Sequence, residues 1–369
     1  MTARIVRKLA VGAALVCFAR SMASAEKDPH AHAEEIRALV LENIDIDGPG
    51  IAVLVSQDGV PLHLAGYGLS DTDSSKPITP DSVFDLASIS KQFTGAAIMS
   101  LAETGKVEPR RAVSDYLPEY RVASKGRAVT LVDLLHHVSG LADYTSDDWD
   151  GNDEEFAQLT PKSHLHWLNG IKPRRAPGVS YEYNNSEYAL LALVVERVSG
   201  VTFAQYLREN LFLPAGMTQT VVLDGSTRLP AQAVKGYAKD NTGHLEASSQ
   251  PTIMTGDGNV YTSLRDLARW DAALRNSTVI SKKWQDRAWK NGHLDNGKPI
   301  KNDEGDGYGY GWVVEKTRHV VSHSGSWNGT STFLLMNLEN GLTVAILSND
   351  ENAEVEDLAD EIAALFETE

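Results

Sequence analysis

The sequence holds one cysteine, Cys17, so no disulfide can form within the chain. It holds no H-E-x-x-H segment, and its closest histidine pairs are His30/His32, His136/His137 and His164/His166. Pairs like these, without a nearby carboxylate or third ligand, read as surface or packing residues, so neither a metal nor another cofactor is expected. G-x-S-x-G is missing too, which excludes a nucleophile elbow. No apolar run is long enough to span a bilayer. The nearest candidate, Leu9 to Ala19, follows the basic residues Arg4, Arg7 and Lys8 and precedes Ala23-Ser24-Ala25, a small-x-small cleavage pattern. Residues 1–25 are therefore expected to be a signal peptide, and the chain an exported protein, periplasmic or secreted. Cys17 would leave with that segment, which excludes a thiol nucleophile. No stable membrane insertion is expected after cleavage. The chain carries a formal net charge of −16, and losing four basic residues and no acid with the signal makes it −20. Such a surface repels nucleic acid and anionic membrane, and neither is expected as a partner; a small-molecule or short-peptide substrate is.

The remaining residues, 26–369, read as one catalytic domain. Ile36, Leu39, Val40 and Ile44 recur at the spacing of one helical face. A hairpin follows, Ile51–Val55 and Val60–Gly68 around Asp58-Gly59. The other chain end mirrors it. Val313–Val314 and Val320–Val321 read as short strands, and Phe333–Leu338 and Leu342–Leu347 are joined by Asn340-Gly341. A closing helix carries Val355, Leu358, Ile362 and Leu365 on one face. Both ends thus belong to one antiparallel sheet flanked by helices, an α/β (α+β) sandwich. Between them, roughly 92–254 is a mainly helical insertion. Phe93, Ala97 and Leu101 stripe one helix, Gly105 sits where a C-cap belongs, Thr130 caps a helix from Leu131 to His136, and Tyr188–Val198 ends at Gly200.

Three segments carry chemistry. In Ser88-Ile89-Ser90-Lys91, a serine three residues before a lysine at a helix start shares a face with it. A serine hydroxyl is a poor nucleophile until a base takes its proton. Lysine is that base only if burial and the positive helix end hold its amine neutral. Alone the motif is weak, since S-x-x-K recurs at Ser24–Lys27. Tyr183-Asn184-Asn185 adds a phenol able to shuttle protons near a lysine, with a lowered pKa beside the ammonium, and an amide able to hold a carbonyl and contact Lys91. His323-Ser324-Gly325 follows a strand. It would set His323 and Ser324 against a ligand, with Gly325 allowing close approach and the Ser326 N–H donating to an oxyanion. Lys290-Asn291-Gly292 is a rival third segment in a polar stretch without strand pattern.

In this order the three resemble the family of class C serine β-lactamases, DD-peptidases and related serine esterases and D-aminopeptidases. The likeness extends to Leu134–Leu141, Pro214–Met217 with Thr220, Thr262–Leu267 and Tyr308–Trp312. The resemblance implies a β-lactamase/transpeptidase-like fold, with Ser88 as nucleophile, Lys91 and Tyr183 as acid/base pair, and Asn185 positioning the substrate. It implies His323 and Gly325 in the third motif, and oxyanion N–H groups from Ser88 and Ser326. Class C enzymes usually carry Lys-Thr-Gly at that motif. A histidine, mostly neutral at pH 7, replaces the cation that binds a β-lactam carboxylate, which favours the peptidase and esterase branches. Two alternatives remain open: a true β-lactamase, and a non-catalytic penicillin-binding sensor that traps ligands on Ser88. Specificity is expected from the loops at Tyr144–Phe156, Thr242–Thr255 and Asn291–Gly307.

Overall fold

The computed structural model describes residues 32–248 and 252–366. The expected signal peptide, with Cys17, lies outside the described residues, as does His30.

A seven-stranded antiparallel sheet forms the centre of the molecule. Its strands are β1 (Ile51–Gln57), β2 (Val60–Tyr67), β3 (Gly307–Tyr308), β4 (Val313–Val314), β5 (Val320–Trp327), β6 (Thr330–Asn337) and β7 (Leu342–Ser348). They lie in the order β3-β4-β5-β6-β7-β1-β2, so the N-terminal hairpin pairs with the last strand. The register sets Ile51 opposite Ser348 and Gln57 opposite Leu342. Both chain ends thus build one sheet.

The period-2 alternation of β1 divides the core between two faces. Ile51, Val53 and Val55 join Ile36 and Val40 of α1 (Ala33–Asn43), and beyond them the closing helix Val355–Leu365, in one cluster. Ala52 and Leu54 point the other way, into a larger cluster with Phe84, Ile89 and Phe93. Both faces are covered, which explains why this strand reads as a continuous apolar run rather than as alternation.

The larger cluster runs on into the helical part through α2 (Lys91–Glu103), whose Phe93, Ala97 and Leu101 are buried. Phe93 sits 4.7 Å from the Trp270 ring and 5.4 Å from that of Phe212, centroid to centroid. Helix α3 (Asn185–Ser199) packs against α2, with Asn184 at its N-cap accepting from the Glu187 N–H. It begins three residues earlier than its apolar stripe indicates, because a polar N-cap and first turn carry no hydrophobic signal. Thr130 forms a capping box with Asp133, as its position suggested.

Strand β5 also outruns the sequence expectation, continuing past Val321 to Trp327. The S-H-S-G-S stretch contains little that marks a strand. It is one because the pleat buries His323 and Gly325 on the core face and exposes Ser324 and Ser326 on the other.

Candidate active site

Ser88 lies in a 3-10 turn, Ala87–Ser90, that passes directly into α2. Two contacts hold the turn. The Ala87 N–H donates to Asp85 Oδ1 at 2.9 Å, and Ser90 Oγ accepts from the Val260 N–H at 3.1 Å. Ala87 takes φ 46°, a left-handed value that costs a non-glycine residue about 1 kcal/mol or more and sets the angle at which Ser88 leaves the chain. Strand β5 runs alongside. A Cβ at Gly325 would collide with the Leu86 carbonyl and Thr332 Oγ1 and stand 3.1 Å from the Ser88 nitrogen. Only glycine lets the strand come this near Ser88.

Lys91, the first residue of α2, is fully buried. Its Nζ donates to Ser88 Oγ at 3.0 Å, to Asn185 Oδ1 at 2.7 Å and to the Asp257 carbonyl at 2.9 Å. It also lies 4.9 Å from the Tyr183 ring centroid. Burial disfavours the ammonium and pulls its pKa from 10.5 down to about 8, while Asp257 and Asp143 resist. A useful share of the amine is therefore neutral near physiological pH and in contact with the Ser88 hydroxyl.

Tyr183 departs from expectation. The proximity of a lysine suggested a lowered phenol pKa. Burial instead pushes it well above the ordinary value, and the nearby Ser88 hydroxyl only partly offsets this. With the phenol held neutral, Tyr183 can donate a proton but not accept one, and the Lys91 amine is the group within reach of Ser88 that can take one. The Tyr183 ring is braced by His137 at 4.5 Å and lies 6.1 Å from His323. His137 in turn sits 2.7 Å from Glu187, both buried, with burial pushing the carboxyl up and the imidazole down. Since His137 Nδ1 accepts from the Asn184 N–H, the shared proton belongs on Glu187 and the pair is neutral.

His323 is buried, and both ring nitrogens are used inside the protein. Nδ1 faces the Ser324 carbonyl at 2.6 Å and must carry the hydrogen, so Nε2 accepts from the Tyr308 hydroxyl at 2.8 Å. Burial and Lys91 push its pKa down to about 3. The ring anchors β5 to β3 as a neutral group and offers a ligand no charge. Ser324 is exposed, while the cavity wall itself is formed by Ser326 and Trp327. Strand β4 pairs only with Val321 and Ser322, so the β5 edge from His323 onward has no partner strand. Ser326, on this stretch, lines the cavity together with Ser88.

The cavity above Ser88 measures about 310 Å³. Of the sequence-derived residues, Ser88, Tyr183, Asn185 and Ser326 line it, with Lys91 beneath. The Tyr144 and Thr242–Thr255 loops reach it through Tyr144, Thr145, Thr252 and Met254, whereas Asn291–Gly307 does not. Sequence reasoning missed Asp85, Asp143 and Asp257. Asp143 accepts from the Asn185 N–H at 3.1 Å, and Thr145 Oγ1 holds the Asn185 amide at 2.9 Å. Asp257 accepts from the Tyr144 hydroxyl at 2.6 Å, and its charge favours the ammonium of Lys91. The one sequence signal for it was the Thr255-Gly256-Asp257-Gly258 stretch, in which Gly256 marks a close backbone approach, to the Tyr188 carbonyl.

A test follows from that charge. Asp257→Asn should shift the acidic limb of the kcat/KM profile to lower pH. Without that carboxylate only Asp143 opposes the effect of burial on Lys91, and less alkali frees its amine. A limb that moves upward, or stays in place, would contradict this electrostatic role.

The Beta-lactamase family model matches residues 34–368. Penicillin-binding protein 4* of Bacillus subtilis (strain 168) is 31% identical over 319 residues, 81% of this chain and 68% of its own length. Protein flp of Staphylococcus aureus (strain NCTC 8325 / PS 47) is 28% identical over 82% of this chain, which spans only 59% of flp. The octameric penicillin-binding protein homologue from Pyrococcus abyssi superposes with a TM-score of 0.81 at 25% identity, covering 91% of this chain and 78% of that one. By sequence and by structure, the chain belongs to the β-lactamase family of serine hydrolases.

Proposed function

We propose that this protein is an exported hydrolase of amides or esters, acting through an acyl group on Ser88 and favouring peptidase or esterase chemistry over β-lactam hydrolysis. The contact of Lys91 Nζ with Ser88 Oγ at 3.0 Å, inside a buried site, carries the catalytic part of this reading. As the Ser88 oxygen bonds to the substrate carbonyl carbon, its proton passes to the neutral amine of Lys91. The carbonyl oxygen becomes an oxyanion facing the N–H groups of Ser88 and Ser326. On collapse of the tetrahedral adduct, the bond to the leaving nitrogen or oxygen breaks and Tyr183 supplies its proton, replenished from Lys91. Water then attacks the acyl-serine by the same route, regenerating the Ser88 hydroxyl and releasing the acid.

The lining supports the choice of substrate. Asp85 and Asp257 face the cavity, and among the described residues no cation lines it; Lys91 lies buried beneath, occupied by three acceptors. A neutral His323 supplies no positive charge either. A substrate carboxylate beside the scissile bond would be repelled, whereas neutral acyl groups or a free amino group are accommodated. Export rests on the basic, apolar and small-x-small order of residues 1–25.

Specificity constants for p-nitrophenyl esters, D-amino-acid anilides and nitrocefin provide the test. Activated esters or anilides should exceed nitrocefin by at least ~10-fold, the value of one unmade charge-assisted contact. Nitrocefin as the best substrate would overturn the proposal, and a penicillin adduct persisting for hours without turnover of any substrate would indicate a sensor.

A further inference from the structure

A second cavity, of about 630 Å³, opens behind the active-site helix. Four cationic side chains line it: Arg110, Arg127, Arg287 and Lys290. Arg127 is neutralised, donating to Asp133 at 2.6 and 2.8 Å and to Asp295 at 2.8 Å. The other three have no acidic partner among the described residues, and Glu108 is the single remaining carboxylate of the wall. In a chain of net charge −16, this is a local reversal of sign.

Two polar side chains on the floor open into the cavity and make no side-chain hydrogen bond among the described residues. These are the imidazole of His136, 8% exposed, and the phenol of Tyr310, 7% exposed. Their rings stand 5.0 Å apart. Arg110 and Arg287 both lie near enough to pull the Tyr310 pKa downward against its burial. Burial lowers His136 to about 4, leaving it neutral at pH 7 with one N–H to donate. Two donors turned into the cavity beneath three cations that lack acidic partners, one of them Arg287 stacked on the Trp284 ring at 4.5 Å, is an arrangement that a bound anion would satisfy.

We infer that this cavity binds a phosphate group, held by Arg110, Arg287 and Lys290 at its mouth and by Tyr310 and His136 on its floor. A carboxylate, with two oxygens, would leave several of these donors unmatched, whereas a phosphate presents three or more acceptor oxygens to a guanidinium fork. The volume lies in the range of small-molecule sites, so free phosphate and a phosphate monoester are both admissible sources. The position gives such a site contact with the catalytic helix. The Tyr310 carbonyl packs on Gly95, and the backbone of Gly311, at φ 80°, lies against that of Lys91. The rival Lys290-Asn291-Gly292 segment of the sequence thus lies here, away from Ser88.

The experiment is calorimetric titration of the full chain carrying Ser88→Ala, which removes any contribution from turnover, at constant ionic strength. Inorganic phosphate and glycerol 3-phosphate are the probes, with acetate as the carboxylate control. The expected result is saturable one-to-one binding of at least one phosphate probe, weakened at least ~10-fold by the double substitution Arg110→Gln/Arg287→Gln. Both arginines are exposed, so the variant should fold. Tighter binding of the monoester identifies it as the source, and equal binding identifies free phosphate. Absence of saturable heat with both probes, binding unchanged by the double substitution, or acetate binding as strongly, would each overturn the inference.

Discussion

Ser88→Ala should lower kcat/KM on an activated ester by at least ~10³-fold while leaving the fold intact. The size of the loss follows from what remains. The variant keeps Lys91, Tyr183 and the oxyanion N–H groups but has no atom on which to form the acyl intermediate. Any residual rate then reflects water placed in the cleft. Stability should change by only about 1 kcal/mol. Ser88 does not cap its turn through its side chain, so its energetic role is the hydrogen bond accepted from Lys91, which retains Asn185 and Asp257 as acceptors, and its contact with the Tyr183 hydroxyl. Intact-mass spectra of the wild type quenched during turnover should show the acyl adduct, and the variant should show none. A variant with wild-type turnover and a normal melting curve would remove Ser88 from the mechanism.

How far this site could be read from the sequence depended on chain distance. Ser88 and Lys91 share one helical turn, and Tyr183 and Asn185 sit at the entry to another helix, so local spacing reveals each pair. Their meeting across 94 positions could be inferred only by resemblance. The Asn340-Gly341 hairpin and the apolar faces of the terminal helices were legible because local turn chemistry and periodicity fix them. Asp257 was not. Its part depends on a backbone carbonyl reaching Lys91 from 166 residues away and on a tyrosine from another loop holding its carboxyl. The rise in the Tyr183 pKa was hidden for a related reason. Proximity to a lysine suggests a downward shift, but enclosure by His137, Tyr308 and His323 makes desolvation the larger effect, and enclosure is a property of the assembled fold. His323 shows the same limit. A histidine beside a ligand and one clamped between Tyr308 and a carbonyl have identical sequence surroundings.

Lys91→Met should reduce kcat/KM by roughly 10²–10⁴-fold, the usual contribution of a positioned general base, and should abolish a pH dependence that the wild type shows. The neutral amine is the active form, so wild-type kcat/KM should rise with pH and level off above about 8. The same titration affects stability. Because the folded pKa lies below the unfolded value of 10.5, the unfolded chain binds more protons between about 8 and 10.5, and wild-type stability gains across that window as the buried charge is lost. Methionine has nothing to titrate there, so the stability difference between the two proteins should change with pH over this interval and stay constant below it. At neutral pH two effects oppose each other. The substitution removes a costly buried charge but orphans Asn185 Oδ1 and the Asp257 carbonyl, each worth about 1–3 kcal/mol when buried without a donor. The two are of similar size, so fold stability and activity should separate cleanly, with a large kinetic loss and a small shift in melting temperature. Denaturant titrations at pH 7 and pH 10, paired with pH–rate profiles, measure both. A wild-type profile already flat by pH 6 would mean that the amine is neutral for some other reason or takes no proton, and Lys91 would lose its place as the base.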